Sequence, residues 1–199
     1  MLERNVVVGR REARHQRTRT QILDEAWALA DETGIAGLSL RELARRVGMK
    51  APSLYTYFDS KDALFDALFV QGYGELSQAQ SAWSEGMAGL GPEEALARAL
   101  RVWMEFCRES IARYQIMFTR AIPGWEPSAE AYAVSVAQYE AMSALLAEIG
   151  VADEESRALF MAVSAGLVAQ QLANEPTGDT WASLAPAAAR MLFERRRDT

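Results

Sequence analysis

Between Gly34 and Ser60 the chain is punctuated so densely that only short helices fit. Gly34 follows residues 16–33, in which Ile22, Leu23, Ala26, Trp27, Leu29 and Ala30 recur on one helical face. It reads as the C-terminal cap of that helix. Ser39-Leu40-Arg41-Glu42 is a capping box, in which the serine and the glutamate satisfy each other's exposed backbone N–H groups. The box opens a helix with Leu40, Leu43, Ala44 and Val47 on one face, stopping at Gly48. Pro52 suits the first turn of a third, two-turn helix, where its missing N–H is not needed. Ser60 caps a fourth, which carries Leu64, Leu68 and Phe69.

Helix signals continue to the end of the chain and strand signals do not, so the expected fold class is all-α. Gly86, Gly89, Gly91 and Pro92 mark a break. The pattern then predicts a helix over about 93–114 and a shorter one through Met117 and Phe118. A Pro-Gly-Trp-Glu-Pro loop spans residues 123–127. Ser128 caps a helix ending at Gly150, Asp153 caps another to about Asn174, and a last helix ends in Arg195, Arg196 and Arg197. Those arginines suit the negative end of a helix dipole and need no further role. Pro186 is compatible with the last helix only in its first turn.

The 199 residues, half of them apolar, suffice for a sizeable core. No run approaches the ~20 apolar residues a bilayer span requires. Near the start only Val6 to Val8 form an apolar run, which argues against a secretory signal. A single cysteine, Cys107, excludes an internal disulfide and fits a reducing cytoplasm. With one Cys and one His (His15, placed in an N-terminal tail), neither a usual zinc site nor a Ser-His-Asp triad is expected, and no cofactor is implied.

The net charge of −6 conceals a division. Residues 1–61 carry eleven Lys/Arg against eight Asp/Glu, or +3; the remainder carries ten against nineteen, or −9. Both lysines of the chain, Lys50 and Lys61, bracket the third helix. On a wheel at ~100° per residue, Ala51, Leu54 and Phe58 share its packing side. Pro52, Ser53 and Thr56 point away, and Tyr55 and Tyr57 flank them. That outer side has no carboxylate, which suits a surface pressed against a polyanion. With the helix before it, this is a helix-turn-helix whose second helix enters a DNA major groove. Hydroxyls of Ser53 and the tyrosines can meet phosphate oxygens, with the lysines neutralising flanking ones.

The stretch GIAGLSLRELARRVGMKAPSLYTYFDSKDALF, residues 34–65, resembles the DNA-binding domain of the tetracycline-repressor (TetR) family of bacterial transcription regulators. The likeness covers about a quarter of the chain. It implies an all-helical homodimer with a DNA-binding N-terminal unit and a divergent helical domain for a small ligand and for dimerisation. On these bounds residues 1–17 form a basic arm, 18–62 the helix-turn-helix domain and 63–199 the effector-binding and dimerisation domain.

Carried over by position, the resemblance implies that Arg41 reaches a base edge, that Pro52 and Tyr55 touch bases or backbone, and that Lys61 anchors a phosphate. Lys50 sits where residue type varies. Ala51 and Thr56 are small enough to meet thymine methyls but make no bidentate hydrogen bonds, so direct readout falls mainly on Arg41, Tyr57 and Lys50. Tyr55 is equally compatible with pure packing; for Lys61 a solvated helix start is the lesser alternative. Upstream, Arg10, Arg11, Arg14, Arg17 and Arg19 can track a minor groove or phosphates on binding, or serve as a solubilising tail. Two subunits neutralising about four phosphates each imply a log–log salt slope of roughly −7.

The second part of the chain is rich in soft and aromatic side chains. Trp103, Phe106, Cys107, Tyr114, Met117 and Phe118 are candidates to line a cavity for a small apolar or aromatic effector, with Trp125, Gln138, Met142 and Met161. Core filling explains any one of them better than ligand binding does, and only together do they suggest a cavity. Leu159, Val163, Gly166, Leu167 and Gln170 form a stripe that permits close helix approach, as do Leu184, Ala188, Met191 and Leu192 on the final helix. Two such hairpins make a four-helix bundle across a two-fold axis.

The expected function is therefore a cytoplasmic, ligand-responsive regulator, a repressor that binds a palindromic double-stranded operator as a homodimer and is released by the effector. One alternative is a regulator with the same helix-turn-helix and no effector. Another is an all-α enzyme using Cys107 or the pair Glu105 and Glu109, although such carboxylate pairs are common on solvated helices.

Overall fold

The computed structural model describes residues 2–87 and 89–194, with side chains from residue 11 onward. Arg195, Arg196 and Arg197 lie outside the described residues. Among the described residues there are nine α-helices, two single 3-10 turns and no strand. No helix among them is long and apolar enough to cross a membrane.

The N-terminal unit comprises α1 (Leu2–Thr33), a 3-10 turn at Ile35–Gly37, α2 (Leu40–Arg46) and α3 (Ala51–Leu54). The first of these corrects an expectation. Residues 2–17 continue α1 instead of forming a separate arm, and the Arg17 guanidinium and the hydroxyls of Thr18 and Thr20 bond to carbonyls one turn back. Ile22, Ala26, Leu29, Leu43 and Leu54 are fully or almost fully buried, as the periodicity predicts. Gly48 adopts φ 71°, a left-handed turn that costs little without a Cβ and sets α3 across α2.

Two local details differ from expectation. The Ser39 hydroxyl accepts from the Glu42 N–H at 3.5 Å, but the Glu42 carboxylate turns away to Arg45 and Arg46, so the capping box is half formed. The third helix is one turn long rather than two. Its end tightens through i−3 bonds, Thr56 N–H to the Ser53 carbonyl at 3.3 Å and Tyr57 N–H to that of Leu54 at 2.9 Å. The Thr56 hydroxyl also donates to the Ser53 carbonyl at 2.7 Å, competing with helix continuation.

The long α4 (Lys61–Glu85) leads from this unit into the second. Ser60 caps it, accepting from Ala63 N–H at 3.0 Å. Then come α5 (Pro92–Glu109), α6 (Ile111–Phe118), α7 (Ala129–Glu148), α8 (Glu154–Asn174) and α9 (Ala185–Glu194). The helix expected over 93–114 breaks at Ser110, whose hydroxyl caps α6 by accepting from Arg113 N–H at 3.0 Å. Caps at Ser128 and Asp153 fall where predicted, and Pro186 sits in the first turn of α9.

One apolar cluster runs from the N-terminal unit through α4 into α5 and α6. A second fills the space between α5, α8 and α9. Gln171, wholly buried in α8, pins the α8–α9 connection by accepting the N–H groups of Trp181 and Ala182, both at 3.1 Å, and donating to the Gly178 carbonyl.

Candidate DNA interface and effector cavity

The cations of the N-terminal unit fall into two groups. Arg46 is clamped to Glu32 of α1, with one bond at 2.8 Å, and also reaches Glu42. Arg45 forms a fork with Glu42 at 2.6 and 2.9 Å. The hydrogen bond from Arg45, followed by the Arg46 contacts, holds the Glu42 carboxyl down to about 2, well below the usual range. These arginines are neutralised within the fold. Arg41, Lys50 and Lys61 ion-pair with no carboxylate among the described residues; Arg41 and Lys50 are exposed, and the Lys61 ammonium lies over the Phe65 ring at 5.1 Å.

Pro52, Ser53 and Thr56 are exposed and Ala51 is half-buried at the start of the third helix. Tyr55 is 51% exposed, which removes the pure-packing alternative for it. Tyr57 is half-buried and stacks on His15 at 4.7 Å between ring centroids. His15 also bonds through Nε2 to the Thr56 carbonyl at 3.3 Å. The lone histidine is therefore not in a tail: it braces the segment that carries Tyr57. Arg19 adds a second brace, its guanidinium 4.7 Å from the Phe58 ring centroid.

In the second unit, α4, α5, α7 and α8 line a cavity of about 180 Å³, with Phe118 of α6 also in its wall. Trp103, Phe106, Phe118, Gln138, Met142 and Met161 line it, as the sequence suggested. Cys107, Tyr114, Met117 and Trp125 do not. Cys107 is fully buried in the core, where burial pushes its thiol far up and leaves it inert. Trp125 packs edge-on to Phe65 and Phe69 at 5.7 and 6.0 Å, in the role of a core brace. The Met117 carbonyl accepts from the Tyr73 hydroxyl at 3.3 Å, and burial holds that phenol up at about 12. Tyr114 is half-buried beside Phe118.

The wall that sequence reasoning missed belongs mainly to α4: Tyr73, Leu76, Gln80 and Trp83. Gln80 and Gln138 are both almost fully buried and paired, the Gln138 amide donating to the Gln80 carbonyl oxygen. Two glutamines on apolar helix faces were the available signal. Glu105 and Glu109 form no catalytic pair, because Glu109 is engaged by Arg113 at 2.8 Å.

The model of the bacterial regulatory proteins of the tetR family matches residues 22–68, the stretch that holds the helix-turn-helix. Residues 22–68 thus carry the DNA-binding domain of that family. An HTH-type transcriptional regulator of Mycobacterium tuberculosis is 27% identical over 169 residues, 80% of this chain and 62% of that protein. The chain thus matches about three fifths of the length of such relatives. The class D tetracycline repressor of Escherichia coli is 45% identical over 53 residues, covering 27% of this chain and 24% of that protein. The fold of Bacillus subtilis FadR, solved in complex with stearoyl-CoA, superposes with a TM-score of 0.65 at 15% identity, over 87% of this chain and 96% of that one. A TetR-like regulator from Rhodococcus sp. RHA1 does so with 0.61 at 23% identity, over 89% and 96%.

The residues expected at a dimer interface divide. Gly166 and Gln170 on α8 and Leu184 and Met191 at the α9 end are exposed, the last two at 42% and 54%. Leu159, Val163, Leu167 and Leu192 are half-buried, the last three against the second cluster. Ala188 is a correction: it is buried in the protomer's own core, because α9 lies flat against α5. The outer face of α8 carries Ala158, Ala162, Ala165, Ala169 and Ala173, all exposed.

Proposed function

We propose that this chain is a repressor that binds an inverted-repeat operator as a homodimer and is released by a small molecule held between α4, α5, α7 and α8. The observation that carries the DNA reading is the division of cations: Arg45 and Arg46 are spent on Glu32 and Glu42, whereas Arg41, Lys50 and Lys61 stay available around an exposed Ser53 and Tyr55. Arg41 is the base-reading residue, since a bidentate arginine to guanine is the commonest specific contact. Lys61, at the start of α4, holds phosphate. One short recognition helix reads few base pairs; two held about 34 Å apart read successive major grooves. The exposed alanine face of α8 and the apolar side chains of α9 supply the dimer contact.

The cavity favours an effector-responsive regulator over one without an effector. Stearoyl-CoA, the ligand in the FadR complex, is a poor guide for this chain, because a void of about 180 Å³ is small for a long acyl chain. The deciding experiment is selection of sites from random duplex DNA at two salt concentrations. An inverted repeat should emerge, its affinity falling steeply with salt. Arg41→Ala should cost about 1–3 kcal/mol and relax one position, while Lys61→Ala should weaken all sites alike and reduce the salt slope by about 1. Failure to enrich any repeat even at low salt would sink the operator-binding reading.

A further inference from the structure

The first part of α1 is a helix with nothing to bury. The helix spans 32 residues, about 48 Å, yet no side chain from Arg11 to Gln21 is buried, and the core begins at Ile22. This stretch holds four arginines against one glutamate. Arg11, Arg14 and Arg17 are exposed and ion-pair with no carboxylate among the described residues; Arg17 only turns its Nε back to the Ala13 carbonyl, at 3.3 Å. Arg14 stands three residues from both Arg11 and Arg17, a spacing at which like charges on a helix repel. A helix that is polar on every side is held by contacts outside itself.

Two such contacts are made within the protomer. His15 stacks on Tyr57 at 4.7 Å and bonds to the Thr56 carbonyl at 3.3 Å, and one turn later Arg19 lies 4.7 Å from the Phe58 ring centroid. They fix the basic stretch beside the end of the recognition segment, whose residues 50–58 include no carboxylate. Beyond His15, residues 2–14 continue the helix for about 20 Å, the length of about six base pairs at 3.4 Å each.

We propose that Arg11, Arg14 and Arg17 form a rigid seat for the phosphate backbone of duplex DNA flanking the bases that the recognition segment reads. A disordered arm would lose conformational entropy on binding, whereas a helix already docked does not. Guanidinium forks match phosphate geometry, and such contacts position the protein without reading sequence. This rests on the operator-binding reading.

The test is a fluorescence-anisotropy titration over a series of salt concentrations, comparing the full chain with the triple variant Arg11→Gln, Arg14→Gln, Arg17→Gln. Three duplexes are used: the inverted repeat enriched by selection with flanks, the same repeat without them, and a scrambled duplex of the longer length. Three contacts in each of two subunits, at about 0.9 each, make the parent's log–log slope steeper than the variant's by about 5 on both long duplexes. The flanks should raise the parent's affinity by about tenfold or more and leave the variant's nearly unchanged. The triple Arg→Lys variant keeps the charge and should keep the slope. A variant with the parent's slope overturns the proposal, as does a parent that gains nothing from the flanks. Equal losses on flanked and unflanked repeats also overturn it, because they report diffuse attraction instead of seated phosphates. The parent's gain from the flanks decides even if the glutamine variant loses helix. A repeat bound no better than scrambled DNA sinks the operator reading alone, and the slopes on scrambled duplex still decide the role of the arginines.

Discussion

Arg113 is the most consequential ion in the second unit, and its removal can be costed. It is 9% exposed and donates to Glu75 of α4 at 2.6 Å, to Glu109 of α5 at 2.8 Å and to the Phe106 carbonyl at 2.7 Å, with its guanidinium 4.0 Å from the Phe106 ring centroid. In Arg113→Met the stem packing is retained and the guanidinium is lost. The bond to the partly buried Glu75 contributes about 1.5–3 kcal/mol as a charge-assisted hydrogen bond. Glu109 is 67% exposed on its side chain, so that pair contributes only about 0.2–1 kcal/mol. The Phe106 carbonyl, in the last turn of α5, loses a partner worth about 1 kcal/mol.

Against this stands the desolvation of the cation, aggravated by its Nε, which is buried without a partner. Relieving it returns about 1–3 kcal/mol. The net expectation is a loss of about 2 kcal/mol, hence a Tm lowered by roughly 4–8 °C for a chain of this size. Urea denaturation followed by circular dichroism at fixed protein concentration measures it, with Glu109→Gln as a control that should cost no more than about 1 kcal/mol. An Arg113→Met protein as stable as the parent or more so would show that desolvation outweighs the pairing, as in other buried ion clusters, and would refute the reasoning.

Three further outcomes are expected. His15→Ala removes the stack on Tyr57, worth about 0.5–1.5 kcal/mol, so operator affinity in a fluorescence-anisotropy titration should fall roughly two- to tenfold with helicity intact. Glu42 has its carboxyl depressed to about 2 by Arg45, so the stability it contributes is present above about 4.5 and is lost as pH falls toward 2. The Tm gap between parent and Glu42→Gln should therefore be full at pH 6, narrow below pH 4.5 and close near pH 2. Met191→Glu, placing a charge on the exposed end of α9, should break the proposed dimer into monomers in light scattering; a dimer mass unchanged by the substitution would remove α9 from the interface.

The DNA-binding unit was legible because its punctuation is chemical: Ser39, Gly48, Pro52 and Ser60 act through local backbone geometry, which a sequence displays directly. What escaped was decided by contacts across the fold. Whether the N-terminal residues form an arm or a helix depended on docking of His15 and Arg19 against the recognition segment. The break at Ser110 was masked because apolar residues continue through Ile111 to Phe118 with no glycine or proline between. The cavity wall on α4 was hidden for a related reason. Leu64 and Leu68 of that helix serve the N-terminal core, whereas Gln80 and Trp83 face the cavity, and one periodicity cannot say where the partner changes. Ala188 fits a stripe for either a partner subunit or its own α5, and only packing chooses.

The short α6 offers a physical route between cavity and DNA interface. At one end Phe118 lines the cavity. At the other, Asp31 in the last turn of α1 accepts from the Ser110 hydroxyl at 2.8 Å and the Ala112 N–H at 3.3 Å, placing a carboxylate on the positive end of the helix. Along its side α6 is locked to α4 by Arg113 and Glu75, and by Gly72, where a Cβ would come within 2.7 Å of the Met117 sulfur. Its eight residues span about 12 Å as one rigid element. A ligand that displaces Phe118 must therefore strain the Asp31 contact, shear α6 along α4, or both. Each partly exposed bond to Asp31 is worth on the order of 1 kcal/mol, and together they match the 1–3 kcal/mol of coupling typical of allosteric proteins. Asp31 joins the second unit directly to α1, whose Glu32 in turn clamps Arg46 of α2, so strain at α6 reaches the helix before the recognition segment within one further ion pair.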